Sequence, residues 1–317
     1  MTRTKALIAG LSLTLAAGAA WAEFPDRPVQ LIVPYPAGGG TDIVARTLAV
    51  ELEKELGQPV NVVNRAGGGG IPGQTAIAHA RPDGYTIGLI ASDISLYKPQ
   101  GLTDLTHADM TALGQTNELP GSVTVAADAP YRTMDDLVTA IRDNPATIKG
   151  TGAAPGASWH AGFLGLMFAL DMAPDQVIWV PTQGGTKGHL DVAAGNSDFS
   201  TASLVEARAL IEAGKLRPLA TMAAERVAIF PEVPTLQEQG IDYTYGLWHG
   251  VTGPKGMDPA ALEVLSAAVE KAANSDGFVA TLEERGFKHV WRPGPEFEAF
   301  MAEDLAKMQA IFDRLND

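Results

Sequence analysis

Residues 33–42, Val-Pro-Tyr-Pro-Ala-Gly-Gly-Gly-Thr-Asp, have the composition of an anion-binding loop. They follow a short apolar stretch with the pattern of a β-strand and precede residues with helical spacing. In such a loop, several backbone N–H groups and the positive end of a helix dipole converge on a phosphate or carboxylate without any charged side chain. A tight strand-to-helix turn with nothing bound has the same pattern, so this loop alone leaves both interpretations open.

Three further loops rich in small residues follow predicted strands, at residues 64–70, 151–158 and 181–186. Each half of the chain therefore has two such loops. One glycine-rich turn is common, whereas four at matching positions favour a shared cleft that binds an anion.

The elements that must position these loops follow from hydrophobic periodicity. Helices are expected between most strands and at residues 159–170, 259–273 and 295–315, and the strands are expected at residues 29–33, 60–63, 85–91, 122–126, 177–180 and 216–222. This succession predicts an α/β fold with two facing lobes, each a mainly parallel sheet flanked by helices, with ligands at the carboxyl ends of the strands. We expect lobe 1 to comprise residues 23–122 and 223–317, and lobe 2 residues 123–222.

The first 22 residues have the features of a secretory signal peptide. Arg3 and Lys5 precede an apolar stretch over residues 6–17, and Ala20-Trp21-Ala22 provides a small-x-small cleavage site before Glu23. The apolar stretch is too short for a stop-transfer helix. We therefore expect a secreted, periplasmic protein that begins at Glu23.

Charge and cysteine content exclude several classes of function. The 317 residues carry a formal net charge of −14 and contain no cysteine. The acidic balance argues against nucleic acid as a partner. Without cysteine there is no disulfide, thiol nucleophile or Cys-based metal site, and the histidines lack H-x-H or H-x-x-x-H spacing. We expect no metal, no cofactor and no catalytic residue.

Two other motifs compete with a simple binding function. Residues 68–73 match the dinucleotide pattern G-x-G-x-x-G, and Asp93 follows at about the required twenty residues, but glycine-rich sequence produces such matches easily. Ser158 and His160 lie in one of the predicted loops, so a secreted hydrolase that uses this pair is the alternative function. The nucleophile-elbow pattern G-x-S-x-G, however, ends in His160 here.

Seven short motifs occur in order along the chain. They are Phe-Pro-Asp-Arg-Pro at residues 24–28, the loop at 34–42, Gly-Gln-Pro-Val at 57–60, Asn-Arg-x-Gly-x-Gly-Gly at 64–70, Pro-Asp-Gly-Tyr-Thr at 82–86, Ala-Gly-Lys-Leu-Arg at 213–217 and Phe-Pro-Glu-Val-Pro-Thr at 230–235. This set resembles the substrate-binding proteins of tripartite tricarboxylate transporters, the TctC or Bug family. The resemblance implies a two-lobed periplasmic protein, expected to be a monomer. It would close on a small di- or tricarboxylate or related organic acid and deliver it to the membrane permease subunits.

The resemblance points to the same loops, and the predicted ligand-binding residues lie in them or near them. Asp42 also suits a role in stabilising the start of a helix, and Trp159 is expected to face the cleft. The residues are Tyr35, Ala37, Gly38, Gly39, Thr41, Asp42, Gly69, Gly70 and Ser92 in lobe 1, and Gly152, Ala153, Ser158, Trp159, His160, Gln183, Gly184 and Ser203 in lobe 2.

Lobe 2 departs from the family pattern at two places. The motif that commonly reads Pro-Tyr-Lys-Gly is Pro-Thr-Gln-Gly at residues 181–184, and Ala202 and Ser203 stand where an acidic residue often follows the late strand. An aromatic ring, a cation and an anion near the pocket are therefore missing, which leaves the identity of the acid open.

Overall fold

The computed structural model describes residues 24–316, in which two β-sheets are flanked by helices. The predicted signal peptide at residues 1–22 lies outside the described residues. The strands are β1 (Val29–Val33), β2 (Val60–Asn64), β3 (Thr86–Ala91), β4 (Met110–Pro120), β5 (Ser122–Ala126), β6 (Lys149–Thr151), β7 (Ile178–Val180), β8 (Phe199–Ser200), β9 (Leu216–Thr221), β10 (Gly246–Pro254) and β11 (Lys288–Pro293). The α-helices are α1 (Gly40–Leu56), α2 (Ile71–Ala78), α3 (Ile94–Tyr97), α4 (Met134–Asp143), α5 (Ser158–Ala169), α6 (Gly185–Ala193), α7 (Leu204–Glu212), α8 (Pro259–Ala273), α9 (Asp276–Glu284) and α10 (Gly294–Asn316).

The first sheet has the strand order β11-β4-β10-β3-β1-β2. Strands β2, β1 and β3 run parallel, with Leu31 opposite both Val62 and Ile87. Strand β10 runs antiparallel to β3 and β4, and β11 runs antiparallel to β4. Helix α1 connects β1 to β2 and α2 connects β2 to β3, and such helical crossovers predict parallel strands.

The second sheet has the order β7-β6-β8-β5-β9, in which β7, β6 and β8 are parallel and β5 is antiparallel to β8 and β9. The expected α/β fold with two sheets is confirmed. Each sheet is mixed, however, which corrects the expectation of mainly parallel sheets. The reason is that antiparallel strands lie beside the parallel ones. They are β4, β10 and β11 in the first sheet and β5 and β9 in the second.

The segments that connect the two sheets lie side by side. Strand β4 ends at Pro120 and β5 begins at Ser122. Between them, Gly121 donates its N–H to the Tyr245 carbonyl (3.0 Å) and accepts from the Met222 N–H (2.8 Å). A Cβ on Gly121 would lie 2.9 Å from the Met222 sulfur, so the segments approach too closely for a side chain here.

Helix α5 is buried over most of its length. A Cβ on Gly162 would lie 2.6 Å from Tyr245 Cδ1, and one on Gly165 would collide with Tyr243 Oη. Tyr245 Oη also donates to the Ser158 carbonyl (2.6 Å). This packing fixes the start of α5, where the loop after β6 ends.

Candidate ligand-binding site

The loops predicted to bind an anion meet at the carboxyl ends of parallel strands. The four predicted loops follow β1 and β2 in the first sheet and β6 and β7 in the second, and the segments after β3 and β8 lie at the same ends of the sheets. Two hydrogen bonds connect the two groups of loops. Ser158 Oγ donates to Asp93 Oδ1 (2.9 Å), and Gln100 Nε2 donates to the Gly156 carbonyl (2.9 Å). The structure thus brings the loops of both sheets to one place.

The helices that begin at these loops differ from other helices in how they start. Helices α4, α7, α8 and α9 are capped by the side chain of the preceding residue, namely Thr133, Ser203, Asp258 and Ser275. Helices α1, α2, α5 and α6 follow residues that provide no side-chain cap, namely Gly39, Gly70, Ala157 and Gly184. The N–H groups of a first turn have no partner inside the helix and need an acceptor from elsewhere. The four predicted loops therefore lead into helix starts that lack a cap of their own.

Asp42 braces the first loop. Its buried carboxylate accepts hydrogen bonds from Gly38 N (2.8 Å), Arg46 Nε (2.9 Å) and Asn64 Nδ2 (2.8 Å). Burial raises the pKa of Asp42, but the hydrogen bonds from Arg46, Gly38 and Asn64 outweigh this effect and hold the pKa below its usual value. These contacts occupy both carboxylate oxygens and the Gly38 N–H, whereas the first turn of α1 has no side-chain cap.

The second loop has a backbone conformation that favours glycine at four consecutive positions. The φ angles of Gly67, Gly68, Gly69 and Gly70 are 111°, 51°, 65° and 92°. Tyr97 Oη donates to the Gly69 carbonyl (2.7 Å). A Cβ on Gly70 would lie 3.0 Å from Tyr97 Oη and 3.1 Å from Tyr35 Oη. The two tyrosines thus hold this loop beside the first one.

Asp93 lies at the junction of the two lobes. Tyr35 Oη donates to its Oδ2 (2.7 Å), and Ser158 Oγ donates to its Oδ1. Burial raises the pKa of Asp93, while hydrogen bonds from Tyr35 and Ser158 oppose the rise. Burial and the nearby Asp93 charge raise the pKa of Tyr35, so this phenol remains a donor. Both Asp93 oxygens are therefore engaged within the protein, and the dinucleotide motif at residues 68–73 lacks an acid available for a ribose.

A chain of hydrogen bonds ends at Thr41. Asn117 Nδ2 lies 3.0 Å from His249 Nδ1, and His249 Nε2 lies 3.0 Å from Thr41 Oγ1. Asn117 Oδ1 accepts from Thr116, so the Asn117 amide nitrogen donates to Nδ1 and the imidazole proton resides on Nε2. Burial lowers the pKa of His249 to about 4, so the ring is neutral at pH 7. Thr41 Oγ1 accepts from His249, which leaves the hydroxyl proton for another acceptor.

The loop after β6 is braced from the protein side. The Ala153 carbonyl accepts from Trp179 Nε1 (3.0 Å) and the Thr182 N–H (3.3 Å). His160 Nδ1 accepts from the Gly156 N–H (3.0 Å), and burial lowers the pKa of His160 to about 4. These contacts fix the loop and leave the first-turn N–H groups of α5 as its donors.

Ser158 and His160 are not arranged as a nucleophile and its base. Ser158 donates its proton to Asp93, and His160 Nδ1 accepts from Gly156. Within residues 24–316 no hydrogen bond joins Ser158 to His160. This geometry does not support the hydrolase alternative.

Other predicted residues occupy different environments. Ala37, Gly39, Gly69 and Gln183 are exposed, Gly184 is half-buried, and Ser92 and Gly152 are buried. Ser92 Oγ has no hydrogen-bond partner among the described residues, so a bound polar group could satisfy it. Ser203 caps α7. Trp159 is 4% exposed and packs against Tyr245 with 6.4 Å between ring centroids, so little of the ring is open to the cleft.

Sequence reasoning missed Glu206, which lies in α7 beside the loop that leads into α6. Ser203 Oγ donates to Glu206 Oε2 (2.9 Å), and a Cβ on Gly185 would collide with the same oxygen. Burial raises the pKa of Glu206, while hydrogen bonds from Ser203, Thr186 N–H and Trp159 oppose the rise. The residue escaped notice because it lies in the first turn of an ordinary amphipathic helix. The available signal was the pair Ser203 and Glu206, which matches the capping-box pattern.

A metal site and a membrane-spanning helix are not found in the described part of the chain. Residues 24–316 contain no group of three or more His, Asp or Glu side chains that could hold a metal ion. None of the helices described there has the length and apolar character needed to cross a membrane.

Comparison with known proteins agrees with the geometry. The family described as "Tripartite tricarboxylate transporter family receptor" (TctC) matches residues 44–316. The chain belongs to the TctC family. Its relatives include the UPF0065 protein in the gbd 5' region of Cupriavidus necator (31% identity, covering 96% of this chain and 93% of the relative) and BugT of Bordetella pertussis (29% identity, covering 98% and 97%).

Solved structures show that this TctC-family protein has the two-lobed fold of periplasmic binding proteins. A TctC solute-binding protein from Polaromonas superposes with a TM-score of 0.82 at 32% identity, covering 92% of this chain and 100% of that one. MatC from Rhodopseudomonas palustris with bound malate has a TM-score of 0.74 at 25% identity, covering 91% and 100%. R. palustris Rpa4515 with adipate has a TM-score of 0.76 at 25% identity, covering 92% and 98%. The similarity of this TctC-family receptor extends over both sheets.

Proposed function

We propose that this TctC-family receptor captures a small organic acid between its two lobes and delivers it to the membrane permease of a tripartite tricarboxylate transporter. The observation that carries this proposal is the absence of side-chain caps on the helices that begin at the cleft loops, beside the capped starts of α4, α7, α8 and α9. A ligand carboxylate would take the place of the missing cap at α1 and α5, since helix N-termini bind anions. The malate and adipate bound by two structural neighbours support this ligand class.

The proposed binding residues serve two roles. The first-turn N–H groups of α1 and α5, the Gly69 N–H, Thr41 Oγ1 and Ser92 Oγ are proposed as direct donors. Asp42, Tyr35, Gly38 and His160 hold these donors in place through the contacts described above. Oriented neutral donors favour a charged acceptor over an amide or ester of the same shape.

The remaining parts of the proposal concern the whole protein. Lobe 1 would comprise residues 23–122 and 223–317, and lobe 2 residues 123–222. Cleavage after Ala22 would release a periplasmic monomer that starts at Glu23, which intact-mass analysis of periplasmic material would show. The bound acid would leave chemically unchanged, because Ser158 is engaged by Asp93 rather than by His160.

The proposal can be tested by substitutions that introduce a capping side chain at the starts of α1 and α5. Gly39 and Ala157 have extended backbone angles (φ −77°, ψ 170° and φ −76°, ψ 168°) that suit an N-cap residue. Gly39→Asp and Ala157→Asp should therefore compete with a ligand carboxylate for the N–H groups of α1 and α5. We expect each variant to bind malate and adipate at least about tenfold more weakly, because a hydrogen bond to a charged group contributes about 1.5–3 kcal/mol.

The control for this test removes a cap far from the cleft. Thr133→Ala deletes the cap of α4 and should cost about 1 kcal/mol of stability without changing affinity, measured by isothermal titration calorimetry. If both Asp variants bound the two acids as tightly as the original protein, the helix starts would not be the binding donors. If a panel of mono-, di- and tricarboxylates failed to bind the original protein, the proposed function would be wrong.

A further inference from the structure

The α9 turn (residues 284–287) ends helix α9 with a Schellman motif. The N–H groups of Gly286 and Phe287 donate to carbonyls in the last turn of the helix (2.9 Å each), and Gly286 has the positive φ, 82°, that this motif favours. Neither bond involves the carbonyl of Glu284, the last residue of α9. This carbonyl lies at the negative end of the helix dipole, where it can accept a donor from another element.

The donor that reaches this carbonyl comes from the helices of the second sheet. Arg208 in α7 donates from Nη1 to the Glu284 carbonyl (3.1 Å) and from Nε to the Glu212 carboxylate (2.9 Å). Helix α7 packs against β9 of the second sheet, whereas α9 packs against α1 beside the first sheet. A Cβ on Gly286 would lie 2.9 Å from Val205 of α7. Helix α7 therefore contacts the α9 turn closely and joins the two lobes there.

This contact and the Ser158–Asp93 hydrogen bond lie on opposite faces of the first sheet. Strand β1 lies between β2 and β3, so the right-handed crossovers through α1 and α2 place these two helices on opposite faces. Helix α9 packs against α1. Helix α3, which follows Asp93, is bonded to α2 through Gln74 and Tyr97 (2.8 Å). The lobes are thus in contact on both sides of the sheet that leads to the cleft.

The α9 turn also reaches the proposed ligand donors. Phe287 is buried, and a Cβ on Gly40, the first residue of α1, would lie 3.3 Å from Phe287 Cζ. The Phe287 ring lies 6.3 Å from the His249 ring, measured between centroids, and His249 donates to Thr41 Oγ1. A shift of the α9 turn would therefore move the ring that packs against the start of α1 and against the partner of Thr41.

We infer that Arg208 is a positioning residue for ligand binding, which holds the α9 turn from the second lobe and, through Phe287, holds the start of α1 in the arrangement that retains the acid. This inference rests on the proposed function and assigns a role to a residue outside the four cleft loops. Because the contact with Glu284 forms only where the two lobes meet, its loss should accelerate release of a bound acid more than it slows capture.

The test measures release rates in Arg208→Gln, which removes the guanidinium and its charge. The probes are adipate and malate, and stopped-flow tryptophan fluorescence of the secreted protein gives their dissociation and association rates. We expect dissociation to become about three- to tenfold faster, the scale of one hydrogen bond from a side chain that is 44% exposed. The association rates should change little.

Two matched controls isolate the contact between the lobes. Arg142→Gln removes a guanidinium that donates to the Leu170 carbonyl at the end of α5 (3.2 Å), which is the same kind of contact within one lobe. Glu212→Gln removes the ion pair of Arg208 and leaves its bond to Glu284. Both controls should release the acids at the original rate. Urea unfolding of the unliganded proteins separates the two roles, since a purely structural role would lower stability without changing release.

The contact can also be measured without a ligand. The chain contains no cysteine, so Asp135→Cys in α4 and Glu263→Cys in α8, both exposed, can carry a pair of fluorophores. Single-molecule energy transfer between them reports the distance between the lobes. We expect Arg208→Gln to populate longer distances than the original protein and Arg142→Gln do.

Each result has a definite consequence. An unchanged release rate in a folded Arg208→Gln variant would overturn the inference while leaving the proposed function intact. Equal acceleration by Arg142→Gln would also overturn it, because the effect would then not depend on a contact between the lobes. Failure of adipate, malate and the wider carboxylate panel to bind would remove the proposed function. The distance distributions would then decide by themselves whether Arg208 holds the lobes together.

Discussion

Ser158 Oγ donates a hydrogen bond of 2.9 Å to Asp93 Oδ1, and this bond joins the start of α5 in one lobe to the residue before α3 in the other. Tyr35 occupies the second oxygen of the same carboxylate. This carboxyl group therefore connects residues of both lobes. The relationship makes the junction between the lobes sensitive to the protonation of one carboxyl group.

Asp93→Asn should make the stability of the protein less dependent on pH. Burial raises the folded-state pKa of Asp93 above the unfolded value of about 3.9. The contribution of Asp93 is therefore fully present below about pH 3.9 and is lost as the pH rises through the raised folded pKa. We expect the original protein to lose stability relative to Asp93→Asn between pH 4 and 7, measured by urea unfolding.

The exposed acid Asp104 provides a control for this measurement. Asp104→Asn removes an exposed carboxyl group that has no hydrogen bond at the junction, so it should change the unfolding free energy little. A constant difference in unfolding free energy between the original protein and Asp93→Asn across this range would contradict the prediction.

Asp42→Asn should show the opposite dependence on pH. Hydrogen bonds from Arg46, Gly38 and Asn64 hold the folded pKa of Asp42 below its usual value despite burial. Its contribution is therefore present above the unfolded pKa of about 3.9 and is lost as the pH falls through the folded pKa. The variant should be less stable than the original protein by about 1.5–3 kcal/mol at pH 7. The difference should shrink on acidification, and thermal unfolding that shows a growing difference at low pH would speak against this role.

The sequence predicted the elements whose pattern is local. Strand β1, helix α1 and the glycine loops were recognisable because apolar spacing and small residues mark them within a few positions. Strand β4 was not recognisable in the sequence, because its centre contains the buried polar residues Gln115, Thr116 and Asn117. Their places are determined by partners distant in sequence, such as His249 for Asn117, and periodicity contains no information about such partners.

The contacts within the candidate site were also only partly predictable from the sequence. The loops at residues 33–42 and 64–70 were predicted from composition, but the contacts of Asp42 with Asn64 and of Asp93 with Ser158 appear only when distant segments meet. Glu206 was missed because the local capping-box pair with Ser203 gives no information about its position beside α6. Its carboxylate reaches the start of α6 only because Gly185 leaves space for it.

Thr41→Val should weaken binding of adipate by about tenfold to a hundredfold, since it removes a donor to a charged group. His249 Nε2 donates to Thr41 Oγ1, so the Thr41 proton is left for the ligand. Thr41→Ser keeps the hydroxyl and should retain most of the affinity, measured by calorimetry at pH 7. Equal affinity in the Val and Ser variants would show that Thr41 makes no hydrogen bond to the acid.

Gly70→Ala should impair both stability and binding, whereas Gly57→Ala should impair stability alone. Both glycines have positive φ angles, 92° and 63°, so an alanine at either position is strained by about 1–2 kcal/mol. At Gly57 the new Cβ meets nothing within 4 Å, whereas at Gly70 it would press on the hydroxyls of Tyr97 and Tyr35 at 3.0 and 3.1 Å. Displacing Tyr35 would disturb its bond to Asp93 and shift the second loop, so the affinity for adipate should fall in Gly70→Ala only. Urea unfolding and calorimetry on the two variants separate these effects, and an unchanged affinity in a folded Gly70→Ala variant would mean that the loop at residues 67–70 does not position ligand donors.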